Sequence, residues 1–400
     1  MTLRLLSLST LYPASVRPGF GRFVARQMEA LAARPDWDVT VINPIGLPPL
    51  PAALMPHSYE SLRAIPMMER RSGVPVHHPR FTLLPGLSGR INPALITRAV
   101  LPLARRLHAE QPFDLVDAQF FYPDGPAAAR IARALGLPYA IKARGSDIHV
   151  WGRNPAALRQ MQDAARGAGA LLSVSQALAD DMADLGLPES AITVHYTGLD
   201  RGRFHPRPRA AARTILAERF HLPPEGPLVA CVGALIPIKG QALAIKALAE
   251  PGMEGIALAI AGTGPDEAAL RTLTRQLDVA HRVHFLGGLG HDFMPVLMAG
   301  ASAMVLPSER EGLANVWIEA LACGTPLVIP DIGGAREVVT SAAAGRIAAR
   351  EPAAIARALA ALIAQPSAPE AVAACAARFS WEANAAALAG IYQKVAKSAV

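Results

Sequence analysis

Cysteine is scarce in this 400-residue chain: Cys231, Cys323 and Cys375 are the only three, and no two form a CxxC pair. Paired-thiolate metal sites and disulfide frameworks depend on close cysteine spacing, so neither is expected. The eleven histidines are scattered, and adjacent His77 and His78 would point to opposite faces of a strand, so both read as structural. Long apolar runs are also missing. Although 52% of residues are apolar and the mean hydropathy is +0.26, no window reaches the ~18 uninterrupted apolar residues of a membrane span. The stretch 293–307 comes nearest and is broken by Pro295, Gly300 and Ser302. The start, MTLRLLSLST, lacks the apolar length and small-residue cleavage site of a signal peptide. A soluble cytoplasmic chain of two or three domains is the expectation.

Charge is unevenly placed. Residues 1–113 hold 13 arginines against six acids, whereas residues 114–400 hold 26 basic and 26 acidic side chains. The excess runs through Arg63, Arg70, Arg71, Arg80, Arg90, Arg98, Arg105 and Arg106. No aromatic series is interleaved with it and no recognition-helix signature accompanies it, which argues against nucleic acid. A peripheral contact with an anionic bilayer at the inner face of the plasma membrane suits the pattern better; an Arg-biased solvated face is the plainer account.

Apolar runs alternate with helical patterns. Strands are expected in LRLLSLST, DVTVIN, DLVDAQFF, PYAIKARG, ALLSVS and AITVHYTG, with helices over 92–110, 124–136, 155–167 and 177–185. Residues 201–227 are rich in Arg and Pro and carry no strand-like run. Alternation then resumes with PLVACVGAL, GIALAIAGTG, RVHFLGG, ASAMVLPS and TPLVIPD. Such alternation predicts parallel sheets covered on both faces. The expected division is an N-terminal domain over 1–205, a C-terminal domain over 206–380 and a terminal helix over 381–400, with a hinge near 201–210. Ligands favour the crevice outside the carboxyl ends of such strands, so a cleft between two such sheets is the expected site.

Four motifs bear on that expectation. In the loop after the first strand, Gly19 and Gly21 flank Phe20 and let backbone approach a ligand at a helix start. Lys239-Gly240 opens a helix, where an ammonium beside free helical N–H groups suits a diphosphate; the P-loop spacing is absent. AIAGTGPDE places Gly262 and Gly264 after a strand, but the final glycine of a dinucleotide fingerprint is replaced by Glu267. In VLPSEREGLANVWIEALACGTPLVIPD, Glu311 is predicted on a loop and Glu319 about one turn inside the following helix, stopped by Gly324 and Pro326. Between them the amides of Gly312, Leu313 and Ala314 form an anion site at the positive helix end. The carboxylates are suited to sugar and ribose hydroxyls.

The glutamate pair in the setting PSxxEG…EAxAxGxPxV…GGxxE resembles the retaining GT-B glycosyltransferases of family 4. The likeness covers nearly the whole chain, including RGSDI, SVSQALADDM, VHYTGLDRGRF and FSWEAN. Through YPDG and ARGSDI it extends to members that build bacterial cell-surface polysaccharides, among them the teichuronic-acid type. The resemblance implies two doubly wound Rossmann-like α/β domains facing across a cleft, and leaves open a return of the terminal helix to the first domain.

It further implies transfer of a hexose-type sugar, with retention, from a UDP- or GDP-sugar to a glycan or polyprenyl-diphosphate-linked acceptor. No cofactor and no metal would be needed. Glu311, Lys239 and Arg144 are the implied catalytic residues, with Lys239 on the diphosphate and Glu311 on the sugar. Glu319 would hold the ribose. Gly312, Leu313 and Ala314, Gly19 and Gly21, Phe285 and Leu286, and Gly262 and Gly264 would complete the donor site. Ser146 and Asp147 would line the acceptor side. Ala234 stands where many members carry an Arg, and Arg144 where many carry a His; Arg144 is expected to replace the lost charge. The rivals are a nicotinamide-dependent oxidoreductase, on GTGPDE, and a non-catalytic nucleotide-sugar-binding protein.

Overall fold

A computed structural model describes residues 2–50, 57–290 and 292–398; residues 399–400, included in the expected terminal helix, lie outside the described residues. The chain forms two compact units. One runs to Gly198 and takes the chain in again from Trp381; the other is Leu199–Ser380.

The first unit carries β1 (Leu3–Leu8), β2 (Trp37–Ile42), β3 (Ile45–Leu47), β4 (Met68–Arg71), β5 (Val74–His77), β6 (Arg80–Thr82), β7 (Leu115–Ala118), β8 (Tyr139–Lys142), β9 (Ala170–Ser173) and β10 (Ile192–Val194). Eight of them form a sheet in the order β10-β9-β8-β7-β1-β2-β5-β4, while β3 and β6 pair separately. Every pairing in the large sheet is parallel except β4 with β5. β1 has β2 on one side and β7 on the other, so strand order reverses there and the loops after β1 and β7 splay apart. Helix Arg22–Ala32 buries Val24, Ala25, Gln27, Met28 and Leu31, a one-sided spacing of three and four residues.

Helix Trp381–Lys397 belongs to this unit. Its Leu388, Ala389, Tyr392 and Val395 sit in the same core as Leu5, Val24, Met28 and Val39. Burying one such large side chain contributes about 1.5–3 kcal/mol. The Trp37 and Tyr392 rings meet edge to face with centroids 6.1 Å apart. A Cβ on Gly198 would fall 2.2 Å from the Trp381 ring, so the chain enters this helix only past a glycine.

The second unit carries β11 (Leu228–Val232), β12 (Ala257–Ala261), β13 (Val283–Gly287), β14 (Ala303–Val305), β15 (Leu327–Ile329) and β16 (Gly345–Ile347) in the parallel order β13-β12-β11-β14-β15-β16. Order reverses between β11 and β14, which puts the Lys239 turn and the Glu311 loop beside each other at adjoining strand ends.

Three features depart from the expected elements. Within the Arg- and Pro-rich stretch 201–227, Arg209–Phe220 is a helix that buries Ala212, Arg213 and Leu216. Arg213 donates to the carbonyls of Pro223 (2.9 Å) and Gly226, so an arginine that reads as a linker residue serves as an internal brace. The β4–β5 hairpin and the β3–β6 pair were not foreseen, because MERR reads as solvated charge and three-residue strands carry no measurable period. His78 is buried and its ring nitrogens face the Asn43 carbonyl (3.3 Å) and Glu69 (3.2 Å), a structural role as expected.

Candidate active site

The site in the second unit is assembled by backbone before side chains meet. After β11 a short 3-10 turn, Pro237–Lys239, ends at Gly240 with φ +73. A Cβ there would lie 2.3 Å from the Pro307 carbonyl oxygen, so only glycine lets this turn close on the exit of β14. Glu309 N–H donates to the Ile238 carbonyl at 2.7 Å and stitches the two loops together. On this frame Lys239 Nζ donates to Glu311 Oε1 at 2.5 Å, and Ser308 Oγ donates to the same oxygen at 2.8 Å. The paired side chains are 24% and 11% exposed, dry enough for the charges to act strongly on one another and open enough to meet a ligand.

The backbone behind Glu311 is equally constrained. Gly334 N–H donates to the Gly312 carbonyl at 2.7 Å. A Cβ on Gly333, at φ +47, would lie 2.1 Å from the Glu311 carbonyl oxygen. The glycine pair after β15 thus presses the Glu311 loop against the helix Asn315–Ala322 that follows. Ahead of that helix, the N–H groups of Gly312, Leu313 and Ala314 have no hydrogen-bond acceptor among the described residues. These three amides immediately precede a helix's positive end.

Glu319 lies on the same helix. It is half-buried and no described residue hydrogen-bonds its carboxylate. Burial pushes its pKa up to about 7, with the Arg203 charge only partly opposing this. No hydrogen bond or ion pair joins it to Lys239 or Glu311 among the described residues. An unsatisfied, half-buried carboxylate is costly to the fold and is relieved by a ligand that brings hydroxyl donors.

The remaining positions expected to bind the donor divide. Gly262 and Gly264 are accounted for by packing: a Cβ on either would strike the carbonyl oxygen of Gly233 (1.9 Å) or Leu235 (2.3 Å). The β12–β13 ladder pairs Ile260 with Phe285 and Ala261 with Gly287, so Leu286 is bulged out of it at the sheet edge. The Phe285 ring lies under Arg271, whose guanidinium carbon is 4.4 Å from the centroid.

In the first unit, Gly21 caps helix Arg22–Ala32 at φ +66, and a Cβ there would lie 2.5 Å from the Leu11 carbonyl. Gly19 has open space around it. Asp147 is wholly buried, and its carboxylate accepts the N–H groups of Phe121 (2.7 Å), Arg144 (3.0 Å), Gly145 (2.8 Å) and Ile148 (3.2 Å). It therefore shapes the loop after β8, while Ser146 is left exposed beside it.

Arg144 rests on a buried polar network that reading the sequence missed. Its Nη2 donates to Gln119 Oε1 (2.5 Å) and Gln27 Oε1 (3.3 Å), and its Nε donates to the Gln119 carbonyl (3.2 Å). Gln119 and Tyr392 both donate to Asp117 Oδ2 at 2.5 Å. Lys142 Nζ contacts Gln27 Oε1 (3.0 Å) and His195 Nδ1 (2.5 Å). Burial, with Arg144 close by, pulls the Lys142 pKa well below the usual amine value; burial brings Arg144 down to about 10. The available signal was a Lys inside YAIK and a Gln inside DAQFF, polar groups interrupting strands that otherwise read as core. Ser308 stands in PSxxE, where the sequence alone points to no partner for its hydroxyl.

The sequence model for a glycosyl transferase 4-like domain matches residues 19–198, and that for glycosyl transferases group 1 matches residues 213–378. A GDP-mannose-dependent alpha-(1-6)-phosphatidylinositol monomannoside mannosyltransferase of Mycobacterium tuberculosis is 32% identical over 275 residues, 66% of this chain and 67% of that one. The chain belongs to the family 4 glycosyltransferases.

The putative teichuronic acid biosynthesis glycosyltransferase TuaC of Bacillus subtilis is 29% identical to this glycosyltransferase over 337 residues, covering 83% of this chain and 82% of TuaC. Its fold is GT-B. Sucrose-phosphate synthase from Thermosynechococcus elongatus superposes with a TM-score of 0.77 at 19% identity, over 99% of this chain and 100% of that one. Anabaena HepE in complex with UDP superposes with a TM-score of 0.70 at 22% identity, over 99% of each chain. None of these comparisons supports an oxidoreductase. Among the described residues no helix of this glycosyltransferase is long and apolar enough to cross a membrane.

Proposed function

We propose that this glycosyltransferase moves a hexose-type sugar from a UDP- or GDP-sugar to a glycan or lipid-linked acceptor, with retention, in the synthesis of a cell-envelope polysaccharide. The observation that carries the reading is the Lys239–Ser308–Glu311 cluster beside the three unused amides of 312–314. TuaC, named for teichuronic acid, supports a polysaccharide product. The GDP-mannose-dependent relative and the UDP complex of HepE support the two donor classes.

Glycosyl transfer breaks the bond from anomeric carbon to phosphate through an oxocarbenium-like state, and negative charge grows on the departing diphosphate. In this reading Lys239 and the 312–314 amides stabilise that charge, so no metal is required. Glu311, steadied by Ser308, orients the hydroxyls of the sugar, and Glu319 accepts from the ribose. Arg144 adds positive charge that Ala234 cannot. The leaving phosphate oxygen helps take the proton of the acceptor hydroxyl, and attack from the same face retains configuration.

The test is a panel of UDP- and GDP-hexoses given to the full chain, read by thermal shift and by NMR of the released or transferred sugar. One nucleotide class should stabilise the protein and yield product of the donor's own anomeric configuration. Stabilisation by NAD and by no sugar nucleotide would overturn the reading, and an inverted product would remove retention.

A further inference from the structure

The loop after β1 does more than lead to Gly21. With the β3–β6 pair it borders an open groove of about 380 Å³ in the first unit, lined by Thr10, Arg17, Tyr59, Leu62, Phe81 and Leu83 among others. The Phe81 ring enters this wall because Gly46 has no side chain; a Cβ there would lie 2.8 Å from the ring.

Arg17 is the unusual member. Its N–H donates to the Ala14 carbonyl (2.9 Å) and its guanidinium stacks on Phe20, 4.5 Å from the ring centroid. Its Nε is buried without a partner, and no described carboxylate pairs with the group. Burial alone pulls its pKa down. A partly desolvated guanidinium without counter-charge is destabilising until an anion arrives, and its planar fork suits two oxygens of a phosphate.

Leu62, Phe81 and Leu83 make part of the lining apolar, and the chain beyond Leu83 continues into the surface. Leu83 is followed by Leu84 (37% exposed), Leu87 (81%) and Ile91 (52%). The exposure is imposed by a fixed turn: Ser88 Oγ accepts the Leu84 N–H (2.9 Å), and Leu87 N–H donates to the Leu84 carbonyl (3.0 Å). Leu84 follows directly on the lining residue Leu83, so an exposed apolar segment leads away from a groove that holds a cation, which suits a ligand with an anionic head and a hydrocarbon chain.

We propose that this groove binds the phosphate of a lipid-linked acceptor on Arg17, with the hydrocarbon running along Leu62, Phe81 and Leu83 toward Leu84 and Leu87. Calling the ligand an acceptor rests on the proposed function; the groove's preference for a phosphorylated lipid does not.

The experiment titrates the full chain calorimetrically with octyl phosphate below its micelle concentration, with inorganic phosphate and octyl glucoside for comparison. Octyl phosphate should bind at least tenfold tighter than either. Arg17→Ala should weaken it tenfold or more, and Arg17→Lys should recover part of the loss. Leu83→Asn should weaken octyl phosphate several-fold and leave inorganic phosphate unchanged, which tests the apolar lining without touching the cation. Equal affinity for phosphate and octyl phosphate would reduce the groove to an ion site and overturn the lipid assignment. Unchanged binding by Arg17→Ala would overturn it entirely. Sugar-nucleotide binding is measured in parallel. Octyl phosphate binding without any nucleotide recognition would sink the transfer reading alone, and nucleotide recognition with Arg17-independent lipid binding would sink the groove alone.

Discussion

Lys239 and Glu311 stand 72 positions apart in the chain, and their side chains meet at 2.5 Å on adjoining loops after β11 and β14. Ser308 holds the same carboxylate oxygen, so Glu311 is fixed from two directions before any ligand is present.

Breaking that pair should cost more than dissolving it. Lys239→Met or Glu311→Gln alone should lower stability by about 1–3 kcal/mol, since each strands the other group in a half-dry site. The double variant should lose less than the sum. Urea unfolding of the four proteins gives the coupling; strictly additive losses would show the contact to be incidental. In transfer assays Lys239→Met should be slower by about 100-fold.

The second prediction follows from Glu319, whose carboxyl is raised by burial from 4.5 to about 7. Between those values the folded protein holds a proton the unfolded chain has released. Stability therefore falls as pH rises from about 4.5 to 7, and the whole penalty is present above 7. Glu319→Gln should match the parent near pH 4 and exceed it at pH 8 by about 1–3 kcal/mol. Nucleotide affinity of the parent should rise through pH 7 as the carboxylate forms, and that of the variant should be lower and flat. Parallel stability curves for the two proteins would remove this assignment.

Two glycines with similar backbone angles should behave differently. Gly333→Ala puts a methyl group 2.1 Å from the Glu311 carbonyl, whereas Gly287→Ala at φ +64 meets nothing within 4 Å. Gly287→Ala should show only the left-handed backbone cost of about 1–2 kcal/mol. Gly333→Ala should exceed it and also slow transfer at least tenfold by displacing Glu311. Equal kinetics for the two variants would mean that the glycine pair does not position the loop.

A fourth prediction concerns the returning helix. Tyr392→Phe removes a 2.5 Å hydrogen bond to buried Asp117 and should cost about 1–3 kcal/mol. Because Gln119 links Asp117 to Arg144, turnover should also fall several-fold. Thermal unfolding and steady-state kinetics read the two effects. A stability loss with unaltered kcat and KM would confine Tyr392 to the core.

Much of the element pattern was legible. PLVACVGAL is apolar without a break and became β11; ASAMVLPS, the 309–314 loop and NVWIEALA followed as strand, loop and helix, closed by Gly324 at φ +81. What escaped were segments whose composition misstates their surroundings. The helix Arg209–Phe220 hides in Arg and Pro, and the β4–β5 hairpin carries Glu69, Arg70 and Arg71 at a sheet edge where charge stays hydrated. The polar network around Arg144 escaped because hydrogen-bond satisfaction between distant residues leaves no local period.

The amino-acid sequence by itself determined two α/β halves, the loop-then-helix setting of Glu311 and Glu319, and the family. These depend on apolar periodicity and on Gly and Pro stops within a dozen or so residues. Tertiary structure alone decided that β11 and β14 are neighbours and so brought Lys239 to Glu311. It also seated the last helix in the first unit's core, where Tyr392 reaches Asp117 across 275 positions. Strand order and helix docking are chosen by which apolar faces can be buried together, a property of the whole packed chain that no single stretch encodes.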